Sequence, residues 1–316
     1  MMGEKRQIFA CINKDDNIRL KSSSGGAFYL MAKWVIEQGG VVFGARFNDD
    51  WQVVHDYCDN LIDLIPLLAS KYVQSKIGDS FKKAKAFLDE NRKVLFCGTP
   101  CQIAGLRNYL KKDYNNLITV DFACHGVASP GVWTEFLKTI SNGREIEKIS
   151  FRDKTEGWCT FSLRIDFKDG SQYRKVCYDE PFMRGFLQNV YLRPSCYECN
   201  FKGLDRKSDF TIADFWGVNK AMPEMFDNKG TSIIILHTEN AQNMWNDIKS
   251  EFNYKETDEK SLLASNSSLV SSVPVTEKRE KFYADIKTPF IKRVDKLTKV
   301  TLSQRVKGKV KSILHM

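Results

Sequence analysis

The sequence predicts an α/β fold: a partly parallel sheet with flanking helices, followed by a second half that contains a β-hairpin. Three observations carry this. Lys93–Cys97, Cys101–Leu110 and Leu117–Phe122 read as strand, helix and strand, a unit whose strands run parallel with a right-handed crossover. Ahead of it, a helical apolar period follows a loop of small residues and leads into two strands. Behind it, Thr160–Phe167 and Ser171–Cys177 alternate around Lys168-Asp169-Gly170, a hairpin pattern.

Each element has a local cause. After Ser22-Ser23-Ser24-Gly25-Gly26, the residues Ala27, Phe28, Met31, Trp34, Val35 and Gln38 recur at helical spacing until Gly39-Gly40 stops the helix. Val41–Arg46 and Gln52–Cys58 are strands joined through Asn48-Asp49-Asp50. Leu61, Leu64, Ile65 and Leu68 mark a short helix, and Phe81–Glu90 marks another. Gly98-Thr99-Pro100 turns the apolar strand Lys93–Cys97 into a helix with Ile103, Leu106 and Leu110 on one face. Ser129 caps, and Pro130 opens, a helix running to about Ile140. Pro181–Gln188 is a short helix, Phe210–Ala213 and Ser232–His237 are strands, and Ala241–Phe252 is a helix. Ser261–Ser272 is Ser-rich and expected to be weakly structured. The chain divides into an N-terminal extension (1–21), an N-terminal α/β region (22–145), a C-terminal region (146–290) and a basic amphipathic tail (291–316).

Composition narrows the class. The chain has 316 residues, 42% of them hydrophobic, enough for a sizeable buried core. It has no run of ~18 apolar residues, and MMGEKRQIFACINKDD lacks a signal-peptide core, so the chain is expected in the cytoplasm with reduced thiols. Eight of the basic residues behind the +9 net charge lie from Lys292 onward, with one acid, Asp295, among them. The rest is near neutral, which excludes a nucleic-acid protein with a wholly basic face. Leu302, Val306, Val310 and Leu314 recur every four residues between the tail's lysines. That pattern fits a helix packed on the body or a peripheral contact with the inner face of a membrane.

Nine cysteines without an export signal point to metal or redox chemistry. Cys196-Tyr197-Glu198-Cys199 lies in a polar, loop-like setting, where two thiolates can hold one metal or two corners of a cluster. Cys101 and Cys124 each lie just past the carboxyl end of a parallel strand, so both should face the crevice at that edge. Four thiolates suit a 4Fe-4S cluster or a structural zinc. Cys97 is an alternative ligand, and Cys11, Cys58, Cys159 and Cys177 read as small hydrophobes. His125, next to Cys124, could tune the site, move a proton, ligate, or only hold its loop. His55 and His237 read as structural. Ser22–Gly26 and Gly98–Pro100 each open a helix and could cradle a phosphate, but neither matches GxGxxG or a P-loop.

Seven segments in order carry a resemblance: SSSGGAF, GGVVFGARF, SKYVQS, VLFCGTPCQIAGL, VDFACHGVASPGVW, RPSCYECNF and SDFTIADFWGV. Together they resemble the coenzyme F420 hydrogenase/dehydrogenase beta-subunit family from Ser22 to Trp216, with a looser fit to about Phe282. The resemblance implies an oxidoreductase with FAD and a 4Fe-4S cluster. It would pass electrons between a small-molecule hydride carrier and a partner protein. By this likeness 22–145 is a flavin-binding region and 146–290 a cluster-binding region. The cluster ligands fall on Cys101, Cys124, Cys196 and Cys199. Ser24, Gly25, Gly26, Lys71, Tyr72, Gln74, Gly98, Thr99 and Pro100 would line the flavin site, and Lys71 and His125 are the catalytic candidates. The ferredoxin-like segment that begins many relatives does not match here, so that module is expected to be missing or on another chain. Relatives also include proteins of surface-polysaccharide gene sets, so a reductase of that pathway and a non-catalytic metal-binding scaffold are the alternative functions.

Overall fold

The computed structural model describes residues 6–299. Eleven strands are described: β1 (Ile8–Asn13), β2 (Val41–Phe47), β3 (Val53–Cys58), β4 (Val94–Cys97), β5 (Leu117–Phe122), β6 (Ile146–Asp153), β7 (Ser162–Phe167), β8 (Gln172–Val176), β9 (Phe210–Asp214), β10 (Ser232–Leu236) and β11 (Phe252–Glu256). Eight form one sheet in the order β11-β1-β10-β9-β5-β4-β2-β3, and β6-β7-β8 form a small second sheet. The middle strands β9, β5, β4 and β2 are parallel, and the flanking pairs are antiparallel. The expected α/β fold is borne out, including the parallel β4–β5 pair and the β7–β8 hairpin.

Helices cover both faces of the large sheet, so its central strands are buried on both sides and read as continuous apolar runs. Val94, Leu95 and Phe96 are wholly buried. The helix Pro100–Leu110 starts where Thr99 and Gln102 form a reciprocal capping box, with proline in the first turn. The small sheet packs on the helices Pro130–Ser141, Pro181–Leu187 and Phe290–Thr298 around an aromatic core that includes Trp133, Phe136, Phe151, Phe182, Tyr191 and Phe290.

Three expectations change. Residues 1–21 are not simply an extension, because β1 lies between β10 and β11 with Ala10 and Cys11 wholly buried. Its local signal is only the short apolar run Ile8–Ile12, and its partners are more than 200 residues away. The segment Ser261–Ser272 contains the end of a helix, Glu259–Ser265, started by the Asp258 cap on the Ser261 amide and anchored by buried Leu262 and Leu269. The start of the basic tail belongs to the body: in the helix Phe290–Thr298, Arg293 is buried, pairs with Glu135 at 2.5 Å and lies over the Phe282 ring. The tail pattern from Leu302 to Leu314 lies outside the described residues. No described helix is long and apolar enough to cross a membrane.

Candidate active site

A cleft opens at the carboxyl ends of β4, β5 and β9, the edge where open α/β sheets bind ligands. It encloses about 1330 Å³, its open mouth included. One wall is Ser22–Ser24 with Gly26, a second is Leu67–Val73, a third is Gly98-Thr99, and the floor runs through Phe122–Val127 to Asp214. Two helices, Ala27–Glu37 and Pro100–Leu110, begin in these walls. The first-turn N–H groups of Ala27–Glu37 have no side-chain cap and favour an anion there, whereas in the other helix Pro100 has no N–H and the capping box occupies the Gln102 amide. Gly26 takes φ +84 at the start of the first helix, which only glycine adopts without strain.

Of the expected flavin-site residues, Ser24, Gly26, Lys71, Tyr72, Gly98 and Thr99 line the cleft, as do Cys124 and His125. Gly25, Gln74 and Pro100 do not. A Cβ on Gly25 would stand 2.3 Å from the Cys11 carbonyl oxygen, so this glycine serves close packing of its loop on β1. Gln74 gives its amide to the Ala128 carbonyl, and Pro100 lines a separate polar pocket. The serine hydroxyls are committed too: Ser24 donates to the Thr231 carbonyl, while Ser23 and Ser70 bond to each other at 2.7 Å.

Lys71 is tied down. Its ammonium donates to the carbonyls of Pro66, Leu68 and Ala69 at 2.8, 2.6 and 3.3 Å. Burial pushes it down to about 7. These bonds close the loop around Ala69, whose φ of +63 is costly for a residue with a side chain. His125 bonds Asn189 Oδ1 through Nε2 at 2.7 Å, so Nε2 carries the proton, and burial lowers its pKa.

His55, Ser75, Gln102 and Asp214 also line the cleft, and no sequence signal marks them as site residues. His55 Nε2 faces the Cys97 carbonyl at 2.9 Å, and Nδ1 faces Ser75 Oγ at 2.8 Å. The carbonyl only accepts, so Nε2 holds the proton and Nδ1 accepts from Ser75. Gln102 then donates to Ser75 Oγ at 2.9 Å and accepts from the Thr99 amide at 2.9 Å, which fixes the Gly98-Thr99 turn. Only the fold joins these residues, which come from β3, the 71–76 loop and the helix after β4.

Burial holds His55 neutral, with its pKa lowered to about 4. The unfolded chain takes up this proton near ~6.5, and the folded chain refuses it until about 4. Stability should therefore be fully present above ~6.5 and fall as pH drops through that interval, by about 3 kcal/mol from this group. Urea midpoints at pH 7.5 and 4.5 should show a smaller acid loss for His55→Gln than for the natural protein. Equal losses would show that His55 takes no part in it.

The four expected metal-site cysteines lie near enough to act on one another electrostatically, with Cys101, Cys196 and Cys199 all acting on Cys124. Burial pushes the Cys124 thiol up to about 12, with the Lys202 ammonium pulling it down and the Cys196, Cys101 and Cys199 thiols adding to the rise. Cys196 likewise feels Cys101 and Cys199. A Cβ on Gly126 would stand 2.9 Å from Leu192 and 3.4 Å from the Cys196 Cβ, so glycine lets the two segments close. Cys97 stays in its strand, and burial pushes its thiol up to about 12. Cys11, Cys58 and Cys177 are buried in the body. Among the described residues no three His, Cys, Asp or Glu side chains stand in metal-clasping geometry.

Residues 91–261, more than half of the chain, match the family model for the C terminus of the coenzyme F420 hydrogenase/dehydrogenase beta subunit. This chain belongs to that family. For a coenzyme F420 hydrogenase/dehydrogenase beta-subunit family member, the matched stretch takes in all four gathered cysteines, Gly98-Thr99, His125 and Asp214, and leaves out Ser22–Gly26 and Lys71–Gln74. No curated protein matches. Among solved structures, a chain of the F420-reducing [NiFe] hydrogenase complex from Methanosarcina barkeri aligns with TM-score 0.56 at 15% identity. The alignment covers 90% of this chain and 96% of that one, so this family member shares the fold well beyond the matched stretch.

Proposed function

We propose that this chain is an iron–sulfur flavoprotein oxidoreductase. It would bind FAD in the cleft and a 4Fe-4S cluster on Cys101, Cys124, Cys196 and Cys199. It would exchange electrons between a hydride carrier, coenzyme F420 or a relative of it, and a partner protein. The observation that carries this reading is that Cys124-His125-Gly126 is both the floor of the cleft and one side of the thiol group. A ligand in the cleft would lie against the segment that carries a cluster ligand.

The residues suit both groups. The donor set is four soft thiols, the set that 4Fe-4S clusters use. When bound, FAD supplies hydride acceptance and release of single electrons. The chain's part is to place and shield it. The start of the helix Ala27–Glu37 provides N–H groups for a diphosphate. The carbonyl-bound Lys71 fixes the loop on one side, and His55 with Gln102 fixes the turn on the other. Tyr72 and Phe186, with ring centres 4.9 Å apart, form an apolar wall that excludes water.

Anaerobic purification with iron, zinc and flavin analysis tests this. About four iron per chain with extractable FAD is the expected result. One zinc per chain and no flavin after reconstitution would overturn it in favour of a metal-binding scaffold. Lys71→Ala should free the loop at Ala69 and weaken FAD binding about tenfold, read by flavin fluorescence titration. Unchanged affinity would remove Lys71 from the site.

A further inference from the structure

The loop that follows the CxxC pair carries a charge with no assigned role. Lys202 is the third residue after Cys199, in Cys199-Asn200-Phe201-Lys202. Its ammonium does not run out to solvent. It turns inward and donates to the Cys124 carbonyl at 2.5 Å and the Ser268 carbonyl at 2.6 Å. Both partners are neutral; burial lowers its pKa, and the charged or ionisable groups that act on it next are Cys124, Cys199, Arg206 and Cys196, none of them an Asp or Glu. A positive charge is thus held, half-buried, among three of the four gathered thiols.

We propose that Lys202 is a positioning and tuning residue: a fixed positive charge that raises the reduction potential of the iron–sulfur centre held by these cysteines. The inference rests on the cluster reading above and deepens it. Taking up one electron adds one negative charge to such a centre, and no bond or proton need change. A nearby cation favours the more negative, reduced state, and does so more strongly where burial weakens solvent screening. The two carbonyls keep the ammonium in place in both oxidation states, so it acts as a constant offset. It thereby sets which electron carriers can reduce the centre.

The test is a mediated redox titration of the anaerobically purified protein, followed by electron paramagnetic resonance, for the natural chain, Lys202→Gln and Lys202→Arg. Gln can still donate to a carbonyl but carries no charge; Arg keeps the charge. At the potential where the natural centre is half reduced, Lys202→Gln should show a reduced-to-oxidised ratio about tenfold lower, a ~59 mV negative shift for one electron. Lys202→Arg should stay within about twofold of the natural ratio, roughly a third of that shift at most. Equal midpoints for natural protein and Lys202→Gln would overturn the proposal. So would loss of iron in Lys202→Gln with full iron in Lys202→Arg, which would make the lysine a structural tie. Absence of iron from the natural protein itself would instead overturn the cluster reading.

Discussion

Cys199→Ser is expected to bind almost no iron, while Cys58→Ser should bind as much as the natural protein. The contrast follows from where the two thiols sit. Cys199 shares its electrostatic surroundings with Cys124 and Cys196, and its amide is held by Ser272 Oγ at 3.0 Å. Cys58 ends β3, is 5% exposed and has acids for neighbours, Asp63 and Asp59; burial, with these acids, pushes its thiol up to about 12. Replacing an outer partner of a metal ligand typically costs roughly 10–100-fold in affinity, and removing a ligand should cost more. Cys58→Ser costs only the burial of a hydroxyl. Iron per chain, measured after identical anaerobic reconstitution, decides it, and equal iron in the two variants would sink the ligand set.

Arg152→Met should lower stability by about 3–5 kcal/mol, the range for removing one partner of a buried ion pair. Arg152, 2% exposed in its side chain, reaches from β6 of the small sheet to Asp214 at the end of β9, at 3.0 and 3.2 Å. It also donates to Tyr72 Oη at 3.0 Å and stacks 4.1 Å over the Phe161 ring. Methionine would leave the Asp214 carboxylate in the cleft wall with Trp158 Nε1 at 3.2 Å as its remaining side-chain donor among the described residues. Asp214→Asn in the same background should recover part of the loss, because the stranded charge then disappears. Urea unfolding of both single variants and the double variant measures this cycle. If the effects simply add, the pair is not coupled.

How much of the fold and site is legible depends on sequence distance. The β4–helix–β5 unit is readable because its period, turn and caps lie within about thirty residues. The crevice position of Cys101 and Cys124 follows from that unit alone. β1 is not readable as a core strand, because its meaning depends on β10 and β11 at the far end of the chain. Arg152–Asp214 is hidden for the same reason, since a basic residue in a half-exposed strand looks like surface until its partner is placed. Lys71 stands out only through the family likeness, and its three carbonyl partners are backbone atoms, which leave no trace in side-chain patterns. His55 stays hidden because one histidine in a strand carries no spacing signal.

The placement of β1 also bears on how the chain is made. Its two sheet neighbours, starting at Ser232 and Phe252, are synthesised long after it. At ~5–20 residues per second, the strand spends roughly twelve to fifty seconds at the ribosome before both partners that cover its edges are made. Throughout that time Ile8, Ala10 and Cys11, all later buried, are open to wrong pairing or to a chaperone. Contacts of such long range also slow refolding of the finished chain. Growth temperature and chaperone supply are therefore the settings that should most change its soluble yield.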